Sequence, residues 1–496
     1  MKTTKYILFF SHAPQVQWFS FIARTLHTRL GLQSVLWVIG DKDRALGEST
    51  GEFCKVVDII ADEKHFSRFS NELAANRYLG AYEESVGKNV VNCDIAMDRY
   101  TSRANWTIEK TLVYAAGILS CMRSEITKLG QPILAIGEEN CLQYRLARRI
   151  VTSPYVCLYM TGHFSDRFYI EHTMYYQWES CQKRYLSFLE NGIPSDVSSI
   201  AEKKLDEIVN KRRSPEATER FINSGKASLL HRVTVSRLAG VLKRMASTLL
   251  STSEPWNPKR LTIKSSNLFL SVSDLLSQVL VKKRLTKLTL KSIPPNQKYA
   301  GFFLHVQPEQ TVEGVAFEYR DQAATARNIA ASLPAGMLLL VKDHVAMVGK
   351  RPLGFYQELA GCANIKLLDH SVSPYEVVKG SSLMFTLSGS VALESMYVGK
   401  PAIVLGKIYH TAFRGIFQAG DIRELATLVK AILDGKYLPA SREEAVIALA
   451  AMYSTSYRGL ISSQFSLEEM AEEENMRCIG EALESEFPFL RAVGLR

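Results

Sequence analysis

No uninterrupted apolar run of about 18 residues occurs in this chain, the length at which a helix can cross a bilayer, so no transmembrane helix is expected in its 496 residues. Its eight cysteines, Cys54, Cys93, Cys121, Cys141, Cys157, Cys181, Cys362 and Cys478, are scattered. None stands in a CxxC pair and none clusters with histidine, so neither a zinc site nor a disulfide framework is expected. Zinc-finger spacing and the aromatic RNA-recognition signature are both missing, which removes the readable nucleic-acid modules. There is no internal repeat. The apolar run near the N-terminus, Tyr6 to Phe10, falls short of the roughly 7–15 residues of a signal-peptide core. It leads into Ser11-His12-Ala13-Pro14-Gln15 rather than a small-residue cleavage site. The run therefore reads as a first β-strand, and a cytoplasmic location is expected.

What is present is globular in character. A length of 496 residues exceeds what one hydrophobic core usually serves, which favours two or three domains. The formal net charge of +10 favours anionic partners, such as a nucleotide sugar or an anionic membrane face. Residues 1–193 alternate strand and helix patterns, with strands at Tyr6–Phe10, Ser34–Ile39, Lys55–Ile60, Ile133–Ile136 and Tyr155–Tyr159. That alternation predicts an α/β fold with a mostly parallel sheet. Residues 194–292 lose the strand signal and carry basic helical sequence, including Lys211-Arg212-Arg213 and Lys282-Lys283-Arg284. They read first as a solvated helical insertion; the alternative is a face for anionic lipid headgroups, placing the protein peripherally on the inner face of the cytoplasmic membrane. Residues 293–440 give five strands, Phe302–Val306, Met337–Lys342, Ile365–Leu368, Leu383–Leu387 and Ala402–Leu405, separated by helices. Residues 441–496 read as helices that pack back across the domains, the last opening at a Ser466–Glu469 capping box.

The most informative segment is Thr386-Leu387-Ser388-Gly389-Ser390-Val391-Ala392-Leu393-Glu394, followed by Gly399-Lys400-Pro401. It reads as strand, polar turn and helix. Free N–H groups at a helix start favour an anion, and Glu394 lies one turn in, near the face of Ser390. Alone, the window is equally an ordinary capped helix. Other polar groups, however, follow the neighbouring strands: Gln307 and Glu309, then Lys342 and His344, then Tyr409. In a doubly wound sheet that rim is where ligands sit. Ser388, Gly389 and Ser390 would hold phosphate, Lys342 and His344 would meet the charge of a leaving phosphate, and Glu394 would take ribose hydroxyls. No metal ligand set accompanies them, and no cofactor beyond a nucleotide-sugar co-substrate is expected.

The third stretch resembles the capsular polysaccharide biosynthesis family, which includes Kdo transferases. The residues that carry the resemblance are Gln307-Pro308-Glu309, Phe317, Asp321-Gln322, Leu333-Pro334, Val341 to His344, Phe355-Tyr356, Thr386 to Glu394, Gly399-Lys400-Pro401, Leu405-Gly406 and Tyr409. Gly137 to Asn140, Arg145 and Asp166 to Phe168 add to it in the first part. The family pattern Lys-Glu-His-Pro appears here as Lys342-Asp343-His344-Val345. The resemblance implies a GT-B fold, two Rossmann-like domains facing a cleft, with a metal-independent glycosyltransferase activity. It implies a nucleotide-sugar donor, CMP-Kdo-like donors among them, held by the second domain. The acceptor would be a capsular or other surface polysaccharide or its lipid-linked primer. A catalytic carboxylate is then expected from the first domain. Glu138 and Glu139 follow a buried strand and fit the role, with His12 and Asp166 as rivals. A sugar-nucleotide epimerase on the same fold, or a non-catalytic assembly protein that binds glycan or membrane, are the alternatives.

Overall fold

The computed structural model describes residues 5–11, 15–69, 71–98, 107–138, 141–173, 176–211, 280–462 and 465–494. These fall into two compact units, one from residues 5–173 with 456–494, the other from 176–211 with 280–455. His12, Glu139 and most of the expected basic insertion, residues 212–279, lie outside the described residues.

The first unit is built on strands β1 (Tyr6–Phe10), β2 (Gln33–Val38), β3 (Lys55–Asp58), β4 (Leu134–Ile136), β5 (Tyr155–Met160) and β6 (Arg167–Glu171). Their order is β6-β5-β4-β1-β2-β3, parallel except that β6 runs against β5. The dipeptide Tyr457–Arg458 adds an antiparallel edge to β6. All five residues of β1 are buried, as expected of a central strand covered on both faces. Successive side chains point to opposite faces: Tyr6, Leu8 and Phe10 join one core with Leu119 and Tyr144. Ile7 and Phe9 join the other, with Phe19 and Ile22 of helix Gln15–Leu30 and Ile479, Leu483 and Leu490 of the C-terminal helices. The C-terminal residues thus complete the first unit's core.

The second unit carries β7 (Thr289–Leu290), β8 (Tyr299–Phe303), β9 (Leu338–Lys342), β10 (Ile365–Leu368), β11 (Leu383–Thr386), β12 (Ala402–Val404) and β13 (Ile416–Gln418). All neighbours are parallel, in the order β13-β12-β11-β8-β9-β10-β7. Five strands were expected from the pattern; β7 and β13 escape it because they are only two and three residues long. The α/β class with two Rossmann-like sheets is therefore as the sequence predicts.

Several boundaries differ. Helix Glu179–Asn191, which the pattern assigns to residues 1–193, packs in the second unit against helix Arg442–Ser454. Helix Ser195–Lys211 packs on that same helix. Residues 280–288 are helical, and Val281 and Leu285 are buried in the second core. The Ser466 capping box forms with both of its hydrogen bonds, but the helix stops at Ala471 and a new one runs Glu473–Glu486. Among the described residues no helix is long and apolar enough to cross a membrane.

Candidate functional site

Strand order reverses between β8 and β11 in the second unit: the chain goes from β8 to β9 and β10 on one side, then returns to β11, β12 and β13 on the other. In doubly wound sheets it is at such a reversal that ligands bind, beyond the carboxyl ends of the strands. Each strand in turn ends in a buried apolar anchor followed by polar groups. Leu304 is buried before His305, Leu387 before Ser388, and Leu405 before Gly406. The three leucines belong to one core, so the polar residues after them are held at one height.

The β8 loop is clamped. The His305 N–H donates to Gln322 Oε1 at 2.7 Å, and Gln322 Nε2 returns a bond to the His305 carbonyl at 3.3 Å. The Arg351 guanidinium donates to the same carbonyl. Arg351 and Asp343 form an ion pair at 3.2 Å, with side chains only 6% and 8% exposed. The Asp343 carboxylate also takes the Tyr356 hydroxyl at 2.5 Å and the His344 N–H at 2.8 Å. Desolvation in this pocket pushes the Tyr356 hydroxyl well up. Two loops are thereby locked together before any ligand arrives.

The expected site residues separate into two groups. Ser388, Gly389, Ser390, Glu394 and His344 stand at the ends of β11 and β9. Ser388 is buried and its hydroxyl donates to the Thr311 carbonyl at 2.8 Å. Gly389 N–H donates to Thr386 Oγ1 at 2.9 Å. A Cβ on Gly389 would lie 2.8 Å from that oxygen and 3.0 Å from His305 Cε1, so only glycine lets the turn approach the imidazole. Ser390 is exposed, and its hydroxyl reaches Glu394 Oε1 at 3.2 Å. Helix Val391–Tyr397 opens directly after it. Glu394 is half-buried and, among the described residues, no cation lies within ion-pair distance. Burial pushes its carboxyl from the ordinary 4.5 up to about 7, the Ser390 hydrogen bond offsetting a part. His344 Nδ1 accepts from the Ala346 N–H at 3.1 Å, which leaves the ring proton on Nε2. Burial lowers its pKa below the ordinary histidine value, so the ring is a neutral donor.

The second group is engaged in holding loops. Lys342 is 7% exposed, and its ammonium donates to the carbonyls of Asp369 and His370, at 3.1 and 2.8 Å. Desolvation pulls it down to about 8. Gln307 donates to Glu313 Oε1 and the Arg320 carbonyl, and accepts from Gln322. Glu309 takes the Thr311 hydroxyl at 3.0 Å. Tyr409 turns to Met452 Sδ, 3.8 Å from its hydroxyl, and packs edge-on against Trp178. Its hydroxyl is raised far by burial. These residues shape the rim through contacts within the protein.

In the first unit the reversal lies between β1 and β4. Glu138 follows β4, half-buried, and Gln15 at the start of the helix after β1 donates to its carboxylate. Tyr155 donates to the Glu138 carbonyl at 3.1 Å, over Gly137, where a Cβ would strike the tyrosine oxygen at 2.2 Å. A carboxylate thus does stand at this unit's switch point. Asp166 is exposed in a turn, and Arg167 does not pair with it: the guanidinium bonds Ser456 Oγ at 2.8 Å and the Ser456 carbonyl. Among the described residues, no three His, Cys, Asp or Glu side chains are grouped to hold a metal ion.

Sequence reasoning missed His305 and Arg351, and gave Thr386 no role of its own. The pattern placed His305 inside a strand to Val306, whereas β8 ends at Phe303. The signal was available in Gln322, whose amide meets both polar groups of the His305 backbone.

No family model matches the chain, and no curated protein does. Solved structures are similar at low identity. Thermosulfurimonas dismutans KpsC, a β-Kdo 2,4 transferase, is 11% identical over 69% of this chain and 88% of that one, with a TM-score of 0.36. A Rickettsia africae glycosyltransferase is 11% identical over 97% and 99%, with a TM-score of 0.27. The Neisseria meningitidis UDP-GlcNAc 2-epimerase bound to UDP-GlcNAc is 11% identical over 98% and 99%, with a TM-score of 0.25. Similarity this remote does not choose between transferase and epimerase.

Proposed function

We propose that the protein is a glycosyltransferase that binds a nucleotide-sugar donor at the switch point of its second unit and transfers the sugar to a surface polysaccharide or its lipid-linked primer. The observation that carries the reading is the gathering there of an open turn, neutral imidazoles and a carboxyl with no neighbouring cation, on loops locked by the Asp343–Arg351 pair. The sequence resemblance points the same way and favours a CMP-Kdo-like donor for a capsular acceptor. In this reading the amides of Ser390 and Val391 meet the phosphate. His344 Nε2–H donates to the oxygen that gains charge as the glycosidic C–O bond breaks, an interaction stronger in the transition state than before it. Glu394, ionised, accepts two ribose hydroxyls. Lys342 adds positive charge at the end of β9, and Gln307, Glu309 and Tyr409 hold the rim. Glu138 takes the acceptor proton, a role worth about 10²–10⁴ in rate.

The test is a thermal-shift screen against CMP-, UDP- and GDP-sugars, since a ligand of the native state raises apparent stability by mass action. One class should raise the midpoint, and Glu394→Ala and His344→Ala should weaken both that shift and transfer to a glycan acceptor. Wild-type behaviour of both variants would sink the assignment. Sugar isomerisation without acceptor would place the chain among epimerases instead. Glu138→Gln should lose transfer by 10²-fold or more with nucleotide binding intact.

A further inference from the structure

His305 lies directly across the reversal point, two residues after β8, with its ring against the last residue of β11. Its Nε2 has two neighbours, Thr386 Oγ1 at 2.9 Å and the Leu387 N–H at 3.3 Å. A backbone N–H only donates, so Nε2 accepts. Thr386 Oγ1 already accepts from Gly389 N–H at 2.9 Å, so its own hydroxyl proton is available to Nε2. With Nε2 accepting, the ring proton sits on Nδ1. The other tautomer, or the cation, would leave the N–H of Leu387, a fully buried residue, without an acceptor. Burial, with His344 and Arg351 adding to it, pushes this imidazole down to about 3, in keeping with a ring that stays neutral. The backbone cannot swing the ring away, because Gln322 and Arg351 hold its N–H and carbonyl. The ring is half-buried, and among the described residues its Nδ1–H meets no acceptor.

We propose that His305 is a binding residue for the donor, a neutral imidazole locked as the Nδ1–H tautomer that gives its proton in a hydrogen bond to a phosphate oxygen beside the Ser388–Ser390 turn. This rests on the nucleotide-sugar reading of the site. No proton is transferred: a neutral imidazole N–H is far too weak an acid, so the group binds phosphate and does not protonate it. The bond strengthens as the phosphate gains negative charge on leaving. Because the donor neither appears nor vanishes with pH near neutrality, phosphate contact here is independent of the proton concentration that sets Glu394.

Two measurements test it. In full-length protein labelled with ¹⁵N-histidine, with His305→Gln identifying the signal, Nδ1 should be protonated and Nε2 unprotonated before any nucleotide is added. Titration with CMP, UDP and GDP should shift the Nδ1 signal, and the corresponding nucleosides should not. By calorimetry, His305→Gln should lose about 10–100-fold in affinity for the nucleotide that binds, as for a hydrogen bond to a charged group, and lose nothing toward its nucleoside. A protonated Nε2 in the free protein, or equal nucleotide affinity in His305→Gln, overturns the inference and leaves the proposed function standing. If wild-type protein binds none of the nucleotides, both fall together.

Discussion

Burial raises the Glu394 carboxyl to about 7, and that direction fixes two outcomes. The folded chain holds the carboxyl proton up to about pH 7, against 4.5 for an ordinary glutamate. Between those values the folded state binds more protons than the unfolded one, so this residue's contribution to stability is fully present below about 4.5 and is lost as pH rises to about 7. Ligand binding runs the other way. If ribose hydroxyls need the ionised form, affinity for a nucleotide sugar rises roughly tenfold per pH unit below about 7 and levels off above it. In Glu394→Gln that dependence should be flat, and the acid-side gain in stability should vanish; a slope unchanged in the variant would assign the titration elsewhere. The Asp343–Arg351 pair makes a separate prediction. Arg351→Met strands a carboxylate that is 8% exposed and should cost about 3–5 kcal/mol in a urea melt, whereas adding Asp343→Asn should recover most of it. At this scale the sequence shows Ser390, Glu394 and Gln307 alike as polar residues that follow a strand. It does not show that Gln307 closes a network with Glu313 and Gln322 while Ser390 stays exposed. Type and position alone look the same in both cases; only the partner across the loop tells them apart.

The turn from β11 to helix Val391–Tyr397 shows what an element contributes beyond its residues. Strand β11 could be read from its apolar run, and the turn from Ser-Gly-Ser, but part of the reason for glycine lies in the loop after β8. At Gly389 the limit on size is set by Thr386 Oγ1 and His305 Cε1, 2.8 and 3.0 Å from a built Cβ. Gly301 makes a matching case within the sheet: it pairs with Met384, and a Cβ there would meet the methionine sulfur at 2.4 Å. Such constraints join residues some 80 positions apart and leave no local pattern. Gly389→Ala should therefore push the imidazole off Thr386. We expect about 1–3 kcal/mol of destabilisation from the overpacking, and a larger relative loss of nucleotide binding. A variant that binds nucleotide as wild type does would show that the close approach of turn and ring is incidental to the site.

The chain as a whole is organised so that its C-terminal residues finish what its N-terminal residues begin. The apolar run Tyr6–Phe10 foretold a strand, and the capping box foretold a helix start, but neither says which sheet the last helices cover. Their apolar positions supply the answer only once partners are known: Ile479, Leu483 and Leu490 fill the face lined by Phe9, Phe19 and Ile22. Arg29 and Arg491 then flank Glu484, holding its carboxyl below the ordinary glutamate range against the desolvation of a nearly buried side chain. The core on this face of the first sheet is thus assembled from two distant pieces of sequence, and those pieces should open together. Leu483 has no exposed surface, so Leu483→Ala should cost about 2–5 kcal/mol through lost burial and the cavity left behind. Native-state hydrogen exchange should then show protection falling in β1 and helix Gln15–Leu30 as well as in Glu473–Glu486, because residues that share a core unfold as a cooperative unit. Loss of protection confined to residues 456–494 would mean that these helices dock on a core able to stand without them, and the first unit would have to be redrawn as residues 5–173 alone.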